Sequence, residues 1–129
     1  MTSASVLLPL WDRAAEWARR LAMIREAQSF LYLSTYYIEH DPYGIELLDA
    51  LVAAERRGVA VNLLIDGFGQ RLGGVLMSRD SKAALASRLE ALRDLGSVVT
   101  IYRPAWYLQR QLGGGQHVKI QVSEAGEAI

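Results

Sequence analysis

Cysteine is absent from this chain of 129 residues, which excludes disulfide bonds, thiolate zinc sites and cysteine nucleophiles. An excess of one charge is absent as well, because Lys and Arg together number 14 and Asp and Glu together also number 14. A chain without net charge has no long-range attraction to a polyanion, so the sequence disfavours a compact basic nucleic-acid-binding domain.

Long apolar runs are also missing. The run nearest the N-terminus, Val6–Trp11, is interrupted by Pro9 and followed by Asp12, whereas a membrane-spanning helix needs ~20 apolar residues. Met1–Ser5 contains no Lys or Arg, so the positively charged start of a signal peptide is not found in these residues. We therefore expect a domain without a transmembrane helix and without an export signal in these residues.

What is present is the composition of a folded domain. Hydrophobic residues make up 51% of the chain and charged residues 22%, close to the globular averages of ~45–50% and ~25%. At ~100–200 residues per domain, the length corresponds to one domain or part of one. We therefore treat residues 1–129 as a single domain.

Hydrophobic periodicity predicts alternating helices and strands. Apolar residues at three- and four-residue spacing predict helices, and short apolar or alternating runs predict strands. The predicted helices are Leu10–Gln28, a second that follows the turn Asp41–Gly44 and ends at Arg57, and a third from Ser81 to Gly96. The predicted strands are Ser29–Tyr37, Val59–Ile65, Val98–Tyr102 and His117–Ser123. This order predicts an α/β fold with a mixed, largely parallel sheet flanked by helices.

Several details of these elements are predictions about packing. Val59–Ile65 is almost unbroken in apolar residues, which is typical of a strand buried on both faces. The alternation in His117–Ser123 predicts one packed face and one polar face. Residues 67–74 are interpreted as a glycine-rich loop, and the residues after the turn Glu124–Glu127 as the start of a further strand.

The last predicted strand carries the strongest candidate site. His117 and Lys119 are two residues apart and therefore project from one face, at ~6.6–6.8 Å along the strand, a separation that can straddle a phosphate. A neutral imidazole can attack phosphorus or act as acid or base, and a lysine ammonium can neutralise phosphate oxygens in the transition state. Gln121 and Ser123 extend the same face as candidate substrate-binding residues. The alternative is an ordinary half-exposed strand with polar residues outward.

Three further groups of residues are weaker candidates. Asp66–Gly67 follows a buried strand where open α/β sheets bind ligands, but it matches neither a dinucleotide motif nor a P-loop, and a tight turn with a mobile loop is the simpler interpretation. His40 and Asp41 could be an acid–base pair, yet they lie in turn chemistry before a helix, which favours a solvated loop or cap. The third group consists of Trp106, Tyr107 and Arg110. These residues would either form an amphipathic lip toward lipid headgroups or pack within their own loop.

With these residues in place, the sequence resembles the phospholipase D superfamily, and in particular its cardiolipin-synthase-like phosphatidyltransferases. His117, Lys119 and Glu124 match the spacing of the His-x-Lys-x-x-x-x-Asp signature of that superfamily. The resemblance extends over about Ala14 to Ile129. Its upstream part consists of Tyr36–Ile38, Gly44, Leu47, Ala53–Val61, Leu64–Gly67, Tyr102 and Pro104.

The resemblance implies a two-step phosphodiester transfer through a covalent phosphohistidine, with no metal or other cofactor. By carry-over, His117 is the motif histidine, Lys119 binds phosphate, and Glu124 occupies the position of the aspartate. The family site needs two motifs that face each other, and this chain supplies one. The resemblance therefore implies a phospholipid substrate and a cytoplasmic location with peripheral contact at the inner membrane surface. It also implies a second half from the same polypeptide or from a twin subunit in a homodimer.

The sequence also departs from the family pattern. Glu124 stands where an aspartate is expected, and its extra methylene moves the carboxylate by ~1 Å, a displacement that can cost ~100-fold in rate. Gly126 lies two residues after Glu124 rather than directly after it. We expect residues 1–129 to be the N-terminal half of such a domain, cut short in its last strands, and inactive without a second motif. Two alternatives stay open: a single-motif dimeric nuclease-like member, and a degenerate domain that serves as an interaction module.

Overall fold

The structure is a computed structural model that describes residues 5–105 and 115–129. In chain order its helices and strands are α1 (Arg13–Glu26), β1 (Phe30–Thr35), α2 (Pro42–Arg56), β2 (Ala60–Asp66), α3 (Gly67–Gly73), a 3-10 turn (Gly74–Leu76), α4 (Arg79–Asp94), β3 (Val98–Tyr102) and β4 (Ile120–Ser123). Every predicted helix and strand is therefore found, and the bounds of β3 coincide with those predicted.

Each helix begins after a side chain that accepts hydrogen bonds from the free amides of the first turn, the usual role of an N-cap residue. The caps of α1, α2, α3 and α4 are Asp12, Asp41, Asp66 and Ser78. In α2 the cap is followed by Pro42, whose fixed φ suits the first helical position. These local signals explain why the helix starts agree with the sequence to within a few residues.

The four strands form one sheet in the order β3-β2-β1-β4. The pairs β1–β2 and β2–β3 are parallel, and α2 and α4 connect them, whereas β4 pairs antiparallel with β1. The predicted fold class, a mixed and largely parallel sheet with helices, is confirmed.

The described helices cover one face of this sheet. Alternate strand residues such as Leu31, Leu63 and Val99 are buried in a single core together with Leu51 of α2 and Leu92 of α4. The strand residues between these buried ones point to the other face of the sheet, because successive side chains of a strand project to opposite faces. That face is not covered by the described helices. Large apolar side chains are exposed there, namely Tyr32 (54%), Val98 (55%), Tyr102 (38%) and Ile120 (39%).

This one-sided packing corrects the prediction for the second strand. Val59–Ile65 was expected to be covered on both faces, but Asn62 and Leu64 of β2 are only half-buried and lie on the open face. An apolar residue such as Leu64 does not by itself indicate whether a second layer of structure covers its face of the sheet.

The last strand is also corrected, in extent and in orientation. It begins at Ile120 rather than at His117, and its polar residues Gln121 and Ser123 are buried while Ile120 is exposed. The register with β1 sets Gln121 beside Leu33, on the face under the helices. Burial of the Gln121 amide is compensated because it donates a hydrogen bond of 2.8 Å to the Arg20 carbonyl.

Residues 67–74 form a helix and the start of a 3-10 turn, so the predicted glycine-rich loop is wrong. The Asp66 cap supplies an acceptor for the first turn, and small residues allow the helix to approach the end of β1 closely. A Cβ on Gly69 would lie 2.3 Å from the Tyr36 carbonyl oxygen. Glycine is therefore required here for contact rather than for loop freedom.

After β4 the chain turns at Gly126, where φ is +77°, a conformation that favours glycine. Gln121 and Ile129 then exchange backbone hydrogen bonds of 2.7 and 2.9 Å, and Val122 and Ala128 form an antiparallel bridge. The expected return of the chain into strand pairing is thus present. Across the ranges that the structure describes, no helix is long and apolar enough to cross a membrane.

Candidate functional site

His117 lies at the end of the sheet where β1 finishes. Its imidazole packs against the ring of Tyr36, with 4.4 Å between ring centroids and an angle of 62° between the planes. The Ser34 hydroxyl donates a hydrogen bond of 2.7 Å to the Val118 carbonyl, which fixes the backbone next to His117. The imidazole is therefore held on one side while the residue as a whole is exposed.

Lys119 is brought to the same place. Its Nζ is 3.5 Å from Nδ1 and 3.4 Å from Nε2 of His117, and it lies 5.5 Å from the centroid of the Tyr36 ring. A cation over an aromatic face is attracted by the ring quadrupole. The structure thus places a potential nucleophile and a cation on one open corner, two groups that can together serve phosphoryl transfer.

The segment that leads into His117 is tied to the end of β2. Asp66 is 0% exposed, and its carboxylate accepts hydrogen bonds of 2.6 Å from the amides of Gly69 and Gln116. The sequence predicts Asp66 only as a weaker ligand-site candidate or a turn, and Tyr36 only as part of the family resemblance. Neither residue is predicted from the sequence to contact His117 or its neighbours. The available signal for both was position, since each residue lies at the carboxyl end of a parallel strand, where α/β sheets place their sites.

Glu124, by contrast, lies at the opposite end of β1. Its Oε1 accepts hydrogen bonds from the backbone amides of Gln28 and Ser29, just before the strand begins. The Gln28 amide is the main cause that lowers the pKa of this carboxyl below its ordinary value, with Ser29 contributing in the same direction. At ~3.3 Å per residue, the length of β1 separates Glu124 from His117 by about 20 Å. The structure does not bring Glu124 together with His117 and Lys119.

The two predicted substrate-binding residues also lie elsewhere. Gln121 and Ser123 are 1% and 4% exposed and face the helical layer, so neither opens onto the corner that carries His117. Asp41 acts as the N-cap of α2, which agrees with the cap interpretation of the segment His40–Asp41. The residues proposed as an amphipathic lip, Trp106, Tyr107 and Arg110, lie outside the described residues.

A cavity of about 710 Å³ lies between α3 and α4, on the other side of α3. Phe68 and Arg71 line it, whereas Gly69 and Gly73 of the same helix face Tyr36 and Tyr37. The cavity is therefore separated from His117 by the width of α3. Among residues 5–105 and 115–129, no group of three or more His, Asp or Glu side chains is placed to hold a metal ion.

The fold and the His-x-Lys corner define a protein of the phospholipase D type, and comparison with known proteins agrees. The sequence matches the family described as cardiolipin synthase, PLD-like domain, over residues 21–125, and the chain belongs to that family. It is 28% identical over 115 residues to a cardiolipin synthase of Alkalihalophilus pseudofirmus, a match that covers 88% of this chain and 21% of the relative. The chain thus spans about a fifth of the length of that curated relative.

A solved structure supports the fold independently. The phospholipase D family member Nuc from Salmonella typhimurium superposes with a TM-score of 0.56 at 21% identity, over 83% of this chain and 56% of Nuc. At this identity the similarity establishes the fold alone.

Proposed function

We propose that this domain catalyses phosphodiester transfer on phospholipids, in the manner of a cardiolipin synthase, through a covalent phosphohistidine at His117. The observation that carries the proposal is the position of Lys119 Nζ, 3.4 Å from a ring nitrogen of the exposed His117. This arrangement sets a cation beside the atom that would bond to phosphorus. Membership of the cardiolipin synthase family supports a phospholipid as the substrate.

In the first step a ring nitrogen of neutral His117 attacks phosphorus. The P–N bond forms while the P–O bond to the leaving alcohol breaks, and the departing oxygen takes a proton from a general acid. Lys119 stabilises the charge that builds on the non-bridging oxygens. In the second step an acceptor alcohol, or water, attacks phosphorus, the P–N bond breaks, and the acceptor proton returns to the conjugate base of the same acid.

The general acid must come from a second half. His117 begins the single His-x-Lys sequence of the 129 residues, since His40, the other histidine, is followed by Asp41 and Pro42. The partner motif would be supplied by more of the same polypeptide or by a twin subunit in a homodimer. The complete enzyme would act at the inner membrane surface, where its substrate lies.

A test uses the purified chain at low and high concentration, with phosphatidylglycerol vesicles and with a chromogenic phosphodiester. His117→Ala and Lys119→Ala should abolish turnover of the lipid, and His40→Ala is the matched control because it removes the other histidine. Quenching in alkaline denaturant should trap an adduct on wild-type protein that the His117→Ala variant lacks, because the P–N bond of a phosphohistidine is labile in acid and stable in base.

Each other outcome replaces the proposal with a defined alternative. Turnover of a nucleic-acid diester in preference to lipid would favour the nuclease-like function. Absence of turnover and of adduct, even when the chain is supplied with a second half, would favour a degenerate interaction module.

A further inference from the structure

Asp66 connects two segments that are distant in sequence. It is the last residue of β2, it is 0% exposed, and each of its carboxylate oxygens has a separate partner. Oδ1 accepts a hydrogen bond of 2.6 Å from the Gly69 amide in the first turn of α3. Oδ2 accepts one of 2.6 Å from the amide of Gln116, the residue before His117. A single buried carboxylate therefore joins α3 to the catalytic segment.

The backbone before His117 fits closely around this carboxylate. A Cβ on Gly115 would lie 2.6 Å from Oδ2 and 2.8 Å from Oδ1 of Asp66. Contacts below 3.0 Å require displacement, so any side chain at this position would move the segment away from the carboxylate. Glycine at position 115 is what allows the Gln116 amide to reach its acceptor.

Oδ1 of Asp66, which does not bond to the segment before His117, acts on the His117 ring through α3. By capping α3, Oδ1 fixes the turn that contains Gly69, and Gly69 packs directly on Tyr36. The Tyr36 ring in turn supports the His117 imidazole at 4.4 Å between centroids. The backbone of His117 and its ring are thus both positioned by contacts that begin at Asp66.

We propose that Asp66 is a positioning residue for His117, and this inference rests on the proposed function of His117 in phosphodiester transfer. Asp66 makes no contact with the reacting atoms and transfers no proton. Asp66 positions the segment because each of its two oxygens accepts one short hydrogen bond. Short hydrogen bonds to a carboxylate are strong and directional. An amide side chain has one acceptor oxygen and can keep only one of the two bonds.

The test compares Asp66→Asn with Asp41→Asn. Asp41 caps α2 through the Gly44 amide as Asp66 caps α3, but it has no bond to the His117 segment. Asn caps helices about as well as Asp, so both variants are expected to fold. The first readout is the NMR signal of the His117 ring protons, whose shift reports the nearby Tyr36 ring.

We expect Asp66→Asn to move the His117 ring-proton signals toward those of an unstructured histidine and to lower kcat for the phosphodiester by up to ~100-fold with little change in KM, the cost of a displacement of ~1 Å. Asp41→Asn should change neither. Gly115→Ala keeps the carboxylate but displaces Gln116, and it should reproduce the same NMR shift.

The inference is overturned if the His117 ring signals in Asp66→Asn and Gly115→Ala coincide with those of wild type. If Asp66→Asn does not fold, Gly115→Ala alone decides. The NMR readout does not require turnover. Absence of turnover and of adduct, even when the chain is supplied with a second half, would contradict the proposed function, while the spectra would still decide whether Asp66 positions His117.

Discussion

The ring of Tyr36 contacts both side chains of the His-x-Lys sequence: it packs on the imidazole of His117 and lies under the ammonium of Lys119. Tyr36 follows β1, whereas the motif precedes β4, and the antiparallel pairing of these strands brings the two together. The site is therefore built across one strand pair and not within the motif alone.

Tyr36 should be needed for its ring rather than for its hydroxyl. We expect Tyr36→Phe to retain near wild-type phosphodiester turnover and Tyr36→Leu to lose about 10- to 100-fold, because His117 and Lys119 would no longer be held in place. Tyr43→Leu is the control, since it also removes an aromatic ring, but Tyr43 lies at the start of α2 and packs on Trp17 of α1. Steady-state kinetics on the three variants checks this, and equal loss in Phe and Leu would contradict it.

Two glycines of one short segment should respond oppositely to alanine. Gly69→Ala places a Cβ 2.3 Å from the Tyr36 carbonyl oxygen, so we expect a loss of about 1–3 kcal/mol in the free energy of unfolding. Gly74 has a helical φ of −69°, and a Cβ added there would meet Lys82 Cε at an ordinary 3.6 Å. Gly74→Ala should be neutral or stabilise by about 0.4–1 kcal/mol. Urea unfolding of both variants measures the difference, and similar losses would refute the argument.

Glu124 should stabilise the fold in a pH-dependent way. Hydrogen bonds from the Gln28 and Ser29 amides lower the pKa of Glu124 in the folded state, so folding favours the ionised carboxylate. Its contribution is therefore present above the unfolded pKa of ~4.3 and is lost as the pH falls through the lower folded pKa.

We accordingly expect Glu124→Gln to unfold at lower urea concentration than wild type at pH 7 and to approach wild type as the medium becomes acidic. Turnover by the variant should fall less than in His117→Ala, because Glu124 lies at the far end of β1 from His117. Asp94→Asn, on the exposed end of α4, is the control for loss of one carboxylate. A constant difference from pH 7 to pH 3 would exclude the proposed linkage.

The open face of the sheet should mediate self-association. Tyr32 and Val98 are more than half exposed there, and the proposed function requires a second half that a twin subunit could supply. Val98→Lys should shift the chain toward monomer, as measured by light scattering after size exclusion. The free energy of unfolding should change by less than about 0.5 kcal/mol, because the substitution is on the surface. Ser87→Lys adds the same charge on α4 and should leave association unchanged. A wild-type chain that stays monomeric at high concentration would contradict this prediction.

Local patterns were sufficient for most of the secondary structure. The bounds of β3, the cap Asp41 and the turn at Gly126 depend on residues within a few positions of one another, and these the sequence predicts well. The prediction of a loop at residues 67–74 is wrong because glycine content alone does not determine a loop. What decided the helix was the Asp66 cap together with close contact to Tyr36, a residue outside the segment.

The candidate site divides in the same way. The spacing of His117 and Lys119, and with it the family signature, is a property of the sequence by itself, as is the single occurrence of that motif in the chain. The tertiary structure alone decided that Gln121 is buried, that Glu124 holds the start of β1, and that Asp66 and Tyr36 support His117. The physical reason is that periodicity gives the two faces of a strand, whereas strand order and register determine which face is covered and which distant residues meet.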